Sequence, residues 1–352
     1  MNASTTENPL RLAVLNPGGN DAGQAFPDFA GEPDARIHAP VNYHAFAACT
    51  AGSFHRDAAT IGEGQHNVLL LLRHDLDACF AALQELKRAG KIVAVSLKES
   101  GAHQVAEQLG RAENLARFQE ICALADGCLS STQNLAALYR SVIRLKDAAR
   151  VEFIPTPYPV DDPRWDFSTR LEDRAGVLIG TREFRVPSRN HLAALLASRL
   201  IIKPLGETVT VVHGDGQLGE SLLAKFSMPK KLNVIEGTRP YPDYLRMVAR
   251  HKIVFQLDRS AVPGQVAGDA LLCRVPCVGG DGAIERLVFP DLCGHGRDTG
   301  ELVEIAARLL DDAQFYAATV ETALAKARKL VSFGAVAEKL DAFFRRIAVR
   351  KP

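Results

Sequence analysis

Two stretches of this 352-residue sequence carry residue types suited to holding an anion. The first is 252–280, KIVFQLDRSAVPGQVAGDALLCRVPCVGG. Its apolar run, 253–257, reads as a buried strand. The loop after it, 258–264, contains Ser260 and Pro263 and opens onto a predicted helix over 265–273. Such an opening presents unpaired N–H groups and the positive end of the helix dipole, which together suit a phosphate. Val262, Pro263, Gly264, Gln265 and Val266 make up that turn, and Gly264 lets a ligand come close to the backbone. The second stretch is the arginine-rich loop 180–189, with Arg182, Arg185 and Arg189. Elsewhere, Gly18-Gly19 follows the first apolar run, where a plain turn would need the same pair. Lys98-Glu99 sits just past another strand. Glu99 and His44 are residue types that can move protons, although a lone histidine on an apolar helix is as readily a core residue. No His or Cys spacing reads as a metal site; Asp75-Leu76-Asp77 starts a helix, where acidic residues suit the dipole. No GxGxxG follows the first strand, so a dinucleotide has no motif here.

The elements that must position these residues alternate. Strands are predicted over 12–15, 67–72, 92–97, 126–130 and 151–154, with helices between them. The helix over 75–89 carries Leu76, Phe80, Leu83 and Leu86 at helical spacing, and Gly90 ends it. Residues 102–125 read as helical with an interruption near Gly110. Pro155, Pro157 and Pro159 then form a cluster that can continue neither a helix nor a central strand. It reads as a domain boundary followed by a polar linker over 161–174. A second set of strands is predicted over 177–179, 209–212, 232–235, 253–257 and 275–278. Helical segments close the chain over 313–346, with a break near Phe333-Gly334. This rhythm predicts an α/β chain of two Rossmann-like domains facing across a cleft, with ligands beyond the carboxyl ends of the strands. The expected division is 1–158, 159–330 and a closing segment 331–352.

Composition excludes several classes. With 42 basic and 41 acidic residues the net charge is +1, which gives no global attraction to nucleic acid. No apolar run approaches the roughly 20 residues of a membrane span. The start, MNASTTENPLR, lacks the basic flank and apolar core of a signal peptide. Seven cysteines without CxxC spacing suit reduced thiols. The expectation is a cytoplasmic protein without transmembrane segments, with monomer and homo-oligomer both open.

Over 175–347 the sequence resembles the retaining glycosyltransferases of the GT-B fold, in particular the large family-4 group. The strand 177–180 leading to Arg182, then Arg189-Asn190 before a helix, carries part of the resemblance. So do His213-Gly214-Asp215-Gly216, the helix over 241–250, the run DALLCRVPCVGGDG from Asp269, and Ser332-Phe333 before an amphipathic helix. The resemblance implies a GT-B fold whose last helix crosses back to the N-terminal domain. It implies transfer of a sugar, with retention and without a metal or other cofactor, from a nucleoside diphosphate sugar to a glycan, protein or lipid-linked acceptor. It also implies roles. Arg182 and Arg189 would face the diphosphate, with the turn from Val262 to Val266. Asp269 would hold the ribose, and Thr238 and Tyr241 the base. Gly18-Gly19 would approach the phosphates and the acceptor. The family usually has two glutamates eight positions apart; here the second is Asp269 and the first is Ala261, which leaves Asp258, Arg259 or Ser260 to hold the sugar. Two rival readings keep the fold. One is a nucleotide- or glycan-binding protein without transfer. The other is a nucleotide-sugar epimerase, for which Glu99 and His44 would be the acid and base.

Overall fold

Short apolar runs, most of them buried on both faces, build two largely parallel sheets. The computed structural model describes residues 9–143, 145–226 and 230–349. The first sheet holds β1 (Leu12–Leu15), β2 (Gln24–Ala25), β3 (Ser53–His55), β4 (Asn67–Leu72), β5 (Ile92–Leu97), β6 (Gly127–Ser130) and β7 (Val151–Phe153). Their order is β2-β3-β1-β4-β5-β6-β7, and only the β2–β3 pair is antiparallel. The second holds β8 (Val177–Ile179), β9 (Val209–His213), β10 (Leu232–Glu236), β11 (Ile253–Gln256) and β12 (Cys277–Gly279). Its order is β10-β9-β8-β11-β12, parallel throughout. Helices cover both faces, which is why β4 reads NVLLLL rather than alternating.

Helix Leu76–Arg88 buries Leu76, Cys79, Leu83 and Leu86, and the Asp75 side chain caps it by accepting from Ala78 N at 2.9 Å. The segment after β5 is two helices, Ala102–Leu109 and Ala112–Leu124, with the break at Gly110. Strands β2 and β3 and the helices Gln217–Ala224 and Ala283–Val288 were not anticipated: each is too short to show a period. The linker is less polar in its contacts than its composition suggests. Trp165 is buried, and its Nε1 donates to the Gly31 carbonyl at 2.8 Å, tying the linker to the irregular loop of the first half.

The chain ends in helices Ala313–Leu330 and Phe333–Ala348. The second buries Val336, Leu340, Phe343, Phe344 and Ile347 among Leu12, Val14, Phe46, Leu69 and Leu71. It therefore packs on the first sheet although it follows the second. The two crossing segments run side by side: Tyr158 N donates to Val331 O at 2.8 Å, and Tyr158 bridges to Ser332. Among the described residues no helix is long and apolar enough to cross a membrane.

Candidate functional site

The carboxyl ends of the central strands of both sheets open onto one cavity of about 330 Å³. One wall comes from the first half: Asn42 and Tyr43 on helix Asn42–Ala48, Lys98 to Ser100 beyond β5, Ser131 beyond β6, and Thr156 beyond β7. The other wall carries Gly180 to Glu183 beyond β8, Gln256 and Asp258 at the end of β11, and the turn from Val262 to Val266. Hydrogen bonds join the walls, among them one between Ser188 Oγ and His103 Nδ1 at 3.3 Å. Asn42 Nδ2 donates to Gln265 Oε1 at 3.0 Å, and Ala102 N donates to Ser260 O at 3.1 Å.

The turn is fixed from below. Ala283 N donates to Val262 O at 2.9 Å and Ile284 N to Pro263 O at 3.1 Å, so helix Ala283–Val288 anchors it. Gly264 has φ +94°, and a Cβ there would lie 2.2 Å from Glu285 Oε2. Only glycine fits both the backbone and the space. Helix Gln265–Leu272 starts from this residue, with its first N–H groups toward the cavity rim. One turn further, Gly268 lies flat on the Tyr158 ring, where a Cβ would be 1.9 Å from Cζ. That close approach seats Asp269 on the cavity wall.

Besides Asp258, two carboxyls in this wall are almost fully buried. Asp269 is 2% exposed and accepts a hydrogen bond from the Tyr241 hydroxyl. Burial pushes its pKa up to about 7, against the opposing pulls of Tyr241 and the Arg182 charge. Glu285 is likewise 2% exposed. Burial, with the nearby Asp258 and Asp281 charges, pushes it to about 7 while Gln256 pulls the other way. Both folded-state values lie above those of the unfolded chain, so the folded protein holds protons that the unfolded chain releases. The protonated forms are favourable below the unfolded values near pH 4, and stability declines as pH rises through about 7. The melting temperature of the ligand-free protein should therefore fall between about pH 5 and pH 8, and Asp269→Asn with Glu285→Gln should flatten the profile. An unchanged slope in that double variant would show that other groups carry the dependence.

Two arginines in the cavity stand in different states. Arg189 Nη1 bonds Asp258 Oδ2 at 2.9 Å, with Glu183 Oε2 at 3.7 Å from Nε, so its charge is matched. Arg182 has no ion pair among the described residues. Its guanidinium lies 6.0 Å from the Tyr244 ring centroid, with the Asp269 carboxyl near enough for the Arg182 charge to act on it. Like the exposed Arg239 on the same cavity wall, it is a cation free to meet an incoming anion. Arg185 points at Asp215, 3.6 Å away, with a side chain 68% exposed.

The cavity thus gathers Glu99, Arg182, Arg189, Tyr241, Val262, Pro263, Gly264, Gln265, Val266 and Asp269 from the sequence candidates. It leaves out five others. Gly18 and Gly19 form a turn closed on itself: Gly19 N donates to Asn16 O at 3.1 Å, and Gly18 O accepts from Arg73 at 3.1 Å. His44 is one residue past Tyr43 on its helix, which turns it away from the cavity. It is stacked between His38 and Phe54 at 3.6 and 3.7 Å, and burial with nearby His38 and Lys98 pushes its pKa down to about 3. A neutral core ring is the physical result, not an acid or base. Thr238 is exposed beyond the edge strand β10. Ser260 is buried, with its Oγ 2.8 Å from Ser188 Oγ. Ala261 sits at φ +52° and lines a separate hollow of about 90 Å³ with Thr132 and Arg286. Sequence reasoning missed Gln256, Ser131 and Thr156, although each lies at or just beyond a strand end, where the carboxyl-end rule points. Glu285 carried no such signal.

No family model matches the sequence. No curated protein matches it either. Solved structures do match. An α,α-trehalose 6-phosphate synthase from Burkholderia multivorans superposes with a TM-score of 0.60 at 13% identity, over 83% of this chain and 74% of its own. A glycosyltransferase from Rickettsia africae matches at TM-score 0.60 and 9% identity, over 98% of this chain and 100% of its own. The Escherichia coli trehalose-6-phosphate protein bound with UDP-2-fluoro glucose matches at 0.58 and 12%, over 79% of this chain and 72% of its own. The chain has the GT-B fold. In GT-B terms the 330 Å³ cavity lies in the interdomain cleft, and helix Phe333–Ala348 is the return helix that ties the C-terminal half to the N-terminal sheet.

Proposed function

We propose that this chain is a glycosyltransferase that takes its sugar from a nucleoside diphosphate sugar. The observation that carries the reading is Arg182: a cation without an ion pair among the described residues, in the same cavity as the turn that opens helix Gln265–Leu272. Departure of a nucleoside diphosphate builds negative charge on the leaving oxygens. An arginine fork and unpaired backbone N–H groups answer that charge without a metal. Asp269, held by Tyr241, serves the ribose hydroxyls, and the tyrosine rings 241 and 244 offer the base a face. The opposite wall, with Glu99, receives the acceptor. The joined walls limit water at the reacting carbon, which favours transfer over hydrolysis. Retention of configuration follows from the resemblance to the family-4 group. The E. coli neighbour's ligand is of the donor class proposed here.

The test is thermal stability in the presence of UDP, GDP, ADP and CDP. A ligand at about a hundred times its Kd stabilises the folded state by about 2.7 kcal/mol. One nucleotide should raise the melting temperature; no shift with any of the four at about 1 mM would sink the reading. Ala261 favours a second reading, binding without transfer, because the residue where the family has a sugar-binding carboxylate carries no polar group. Release of free sugar or a glycosylated product from the matching nucleotide sugar decides between them. The epimerase reading loses His44, which the structure places in the core.

A further inference from the structure

We propose that Glu285, from the helix after β12, is the carboxylate that holds the transferred sugar. This rests on the donor-sugar reading above and assigns a role to a residue outside the stretch that resembles the family's glutamate pair.

The geometry has three parts. First, position 261 does not face the cavity: Ala261 lines the separate hollow, and Asp258, the acidic residue of that stretch that does line the cavity, is already paired with Arg189. Second, Glu285 lines the cavity, is 2% exposed, and has one oxygen unused. Its Oε1 accepts from Gln256 Nε2 at 2.8 Å, while Oε2 has no hydrogen-bond partner. A buried polar atom left this way costs the full desolvation of the group, so native structures keep few of them without a use. Third, the surroundings make room for this carboxylate. Oε2 lies 2.2 Å from where a Cβ on Gly264 would be and 2.4 Å from one on Gly282, and Oε1 lies 3.0 Å from one on Gly280. Three glycines thus give the carboxylate its place directly under the turn assigned to the distal phosphate. A sugar bonded to that phosphate is delivered next to Glu285.

Across the cavity, Ser131 is 1% exposed, and its Oγ lies close to the Tyr43 hydroxyl without a well-formed hydrogen bond. These two polar atoms on opposite walls describe the ligand between them. It must donate a hydrogen bond to a carboxyl oxygen and exchange a hydrogen bond with a hydroxyl, which a neutral sugar with free hydroxyls does. Ala261 is then no loss: the acceptor for the sugar comes from a different helix.

Calorimetric titration separates this from the parent reading. The probes are UDP, GDP and ADP, and beside them UDP-glucose, UDP-N-acetylglucosamine, GDP-mannose and ADP-glucose. In Glu285→Ala the bare diphosphate should bind within about twofold of wild type. The matching sugar conjugate should lose about tenfold, the worth of one hydrogen bond to a charged group. Glu285→Gln should recover part of that loss, and Ser131→Ala should lose a smaller part of the same increment. If wild type binds a diphosphate and its sugar conjugate, and both glutamate variants keep the full affinity difference between them, this proposal is wrong and the donor reading stands. If wild type binds none of the seven and CDP gives no thermal shift, both fall together. A Glu285→Ala protein that fails to fold leaves Glu285→Gln and Ser131→Ala to decide by the same comparison.

Discussion

Arg182→Ala should weaken nucleoside diphosphate binding by about 1.5–3 kcal/mol, roughly tenfold to 150-fold, the range for hydrogen bonds to charged groups. The side chain is exposed, and no ion pair among the described residues depends on it. Its removal breaks no ion pair; it takes one favourable charge from the buried Asp269 carboxyl, so the melting temperature of the ligand-free protein should hardly move below pH 7, where that carboxyl is protonated. Arg182→Lys should recover only part of the loss, because an ammonium keeps the charge but not the two-pronged geometry that matches a phosphate. Titration calorimetry with the nucleotide found by thermal shift reads all three proteins. Unchanged affinity in Arg182→Ala would take the residue out of the site. Arg189 cannot serve as the same test. Its guanidinium holds Asp258, whose side chain is 5% exposed, so Arg189→Ala leaves a buried charge unpaired and mixes a folding cost into the binding loss.

That contrast also shows what a sequence can and cannot say about a site. The two arginines look alike in the string TREFRVPSRN, and the resemblance gives both a phosphate. Only the placement of Asp258, from another strand end, separates a matched cation from an unmatched one. His44 and Tyr43 make the same point. They are neighbours on one helix, and a single residue's rotation puts the tyrosine on the cavity and the histidine between two rings. The α/β rhythm was legible because β4, β5 and the strands of the second sheet are continuous apolar runs separated by amphipathic helices. The phosphate turn was legible because Gly264 and the strand before it are local features. Glu285 was not. Its meaning depends on the three glycines that surround it in space, two of them three and five residues before it in sequence and one on the turn across from it.

The return helix sets the other large effect. Phe343→Ala should destabilise the protein by about 3–5 kcal/mol, the usual cost of deleting a buried phenyl ring. Phe343 is 1% exposed and lies against β6, where a Cβ on Gly127 would come within 2.9 Å of its Cζ. Its neighbours Phe344 and Ile347 share the same cluster with Leu12 and Val14 of β1, so the vacated volume is walled by packed side chains and cannot collapse cheaply. The helix also ends at a charge contact, Arg346 Nη2 to Glu152 Oε2 at 2.6 Å, but that pair is partly exposed and is worth far less than the ring. Chemical denaturation measures the cost as a lower midpoint. A loss under about 1 kcal/mol would mean that the helix is held weakly, as a surface element would be. The consequence reaches the cleft. The helix begins at Ser332, which bridges to Tyr158, and Tyr158 carries Gly268 one residue before Asp269. Loosening the helix on the first sheet therefore loosens the support of Asp269 on the second. Phe343→Ala should weaken nucleotide binding as well as stability, whereas an equally destabilising change in the first sheet's far face, such as Leu83→Ala, should lower stability and leave affinity in the folded population unchanged.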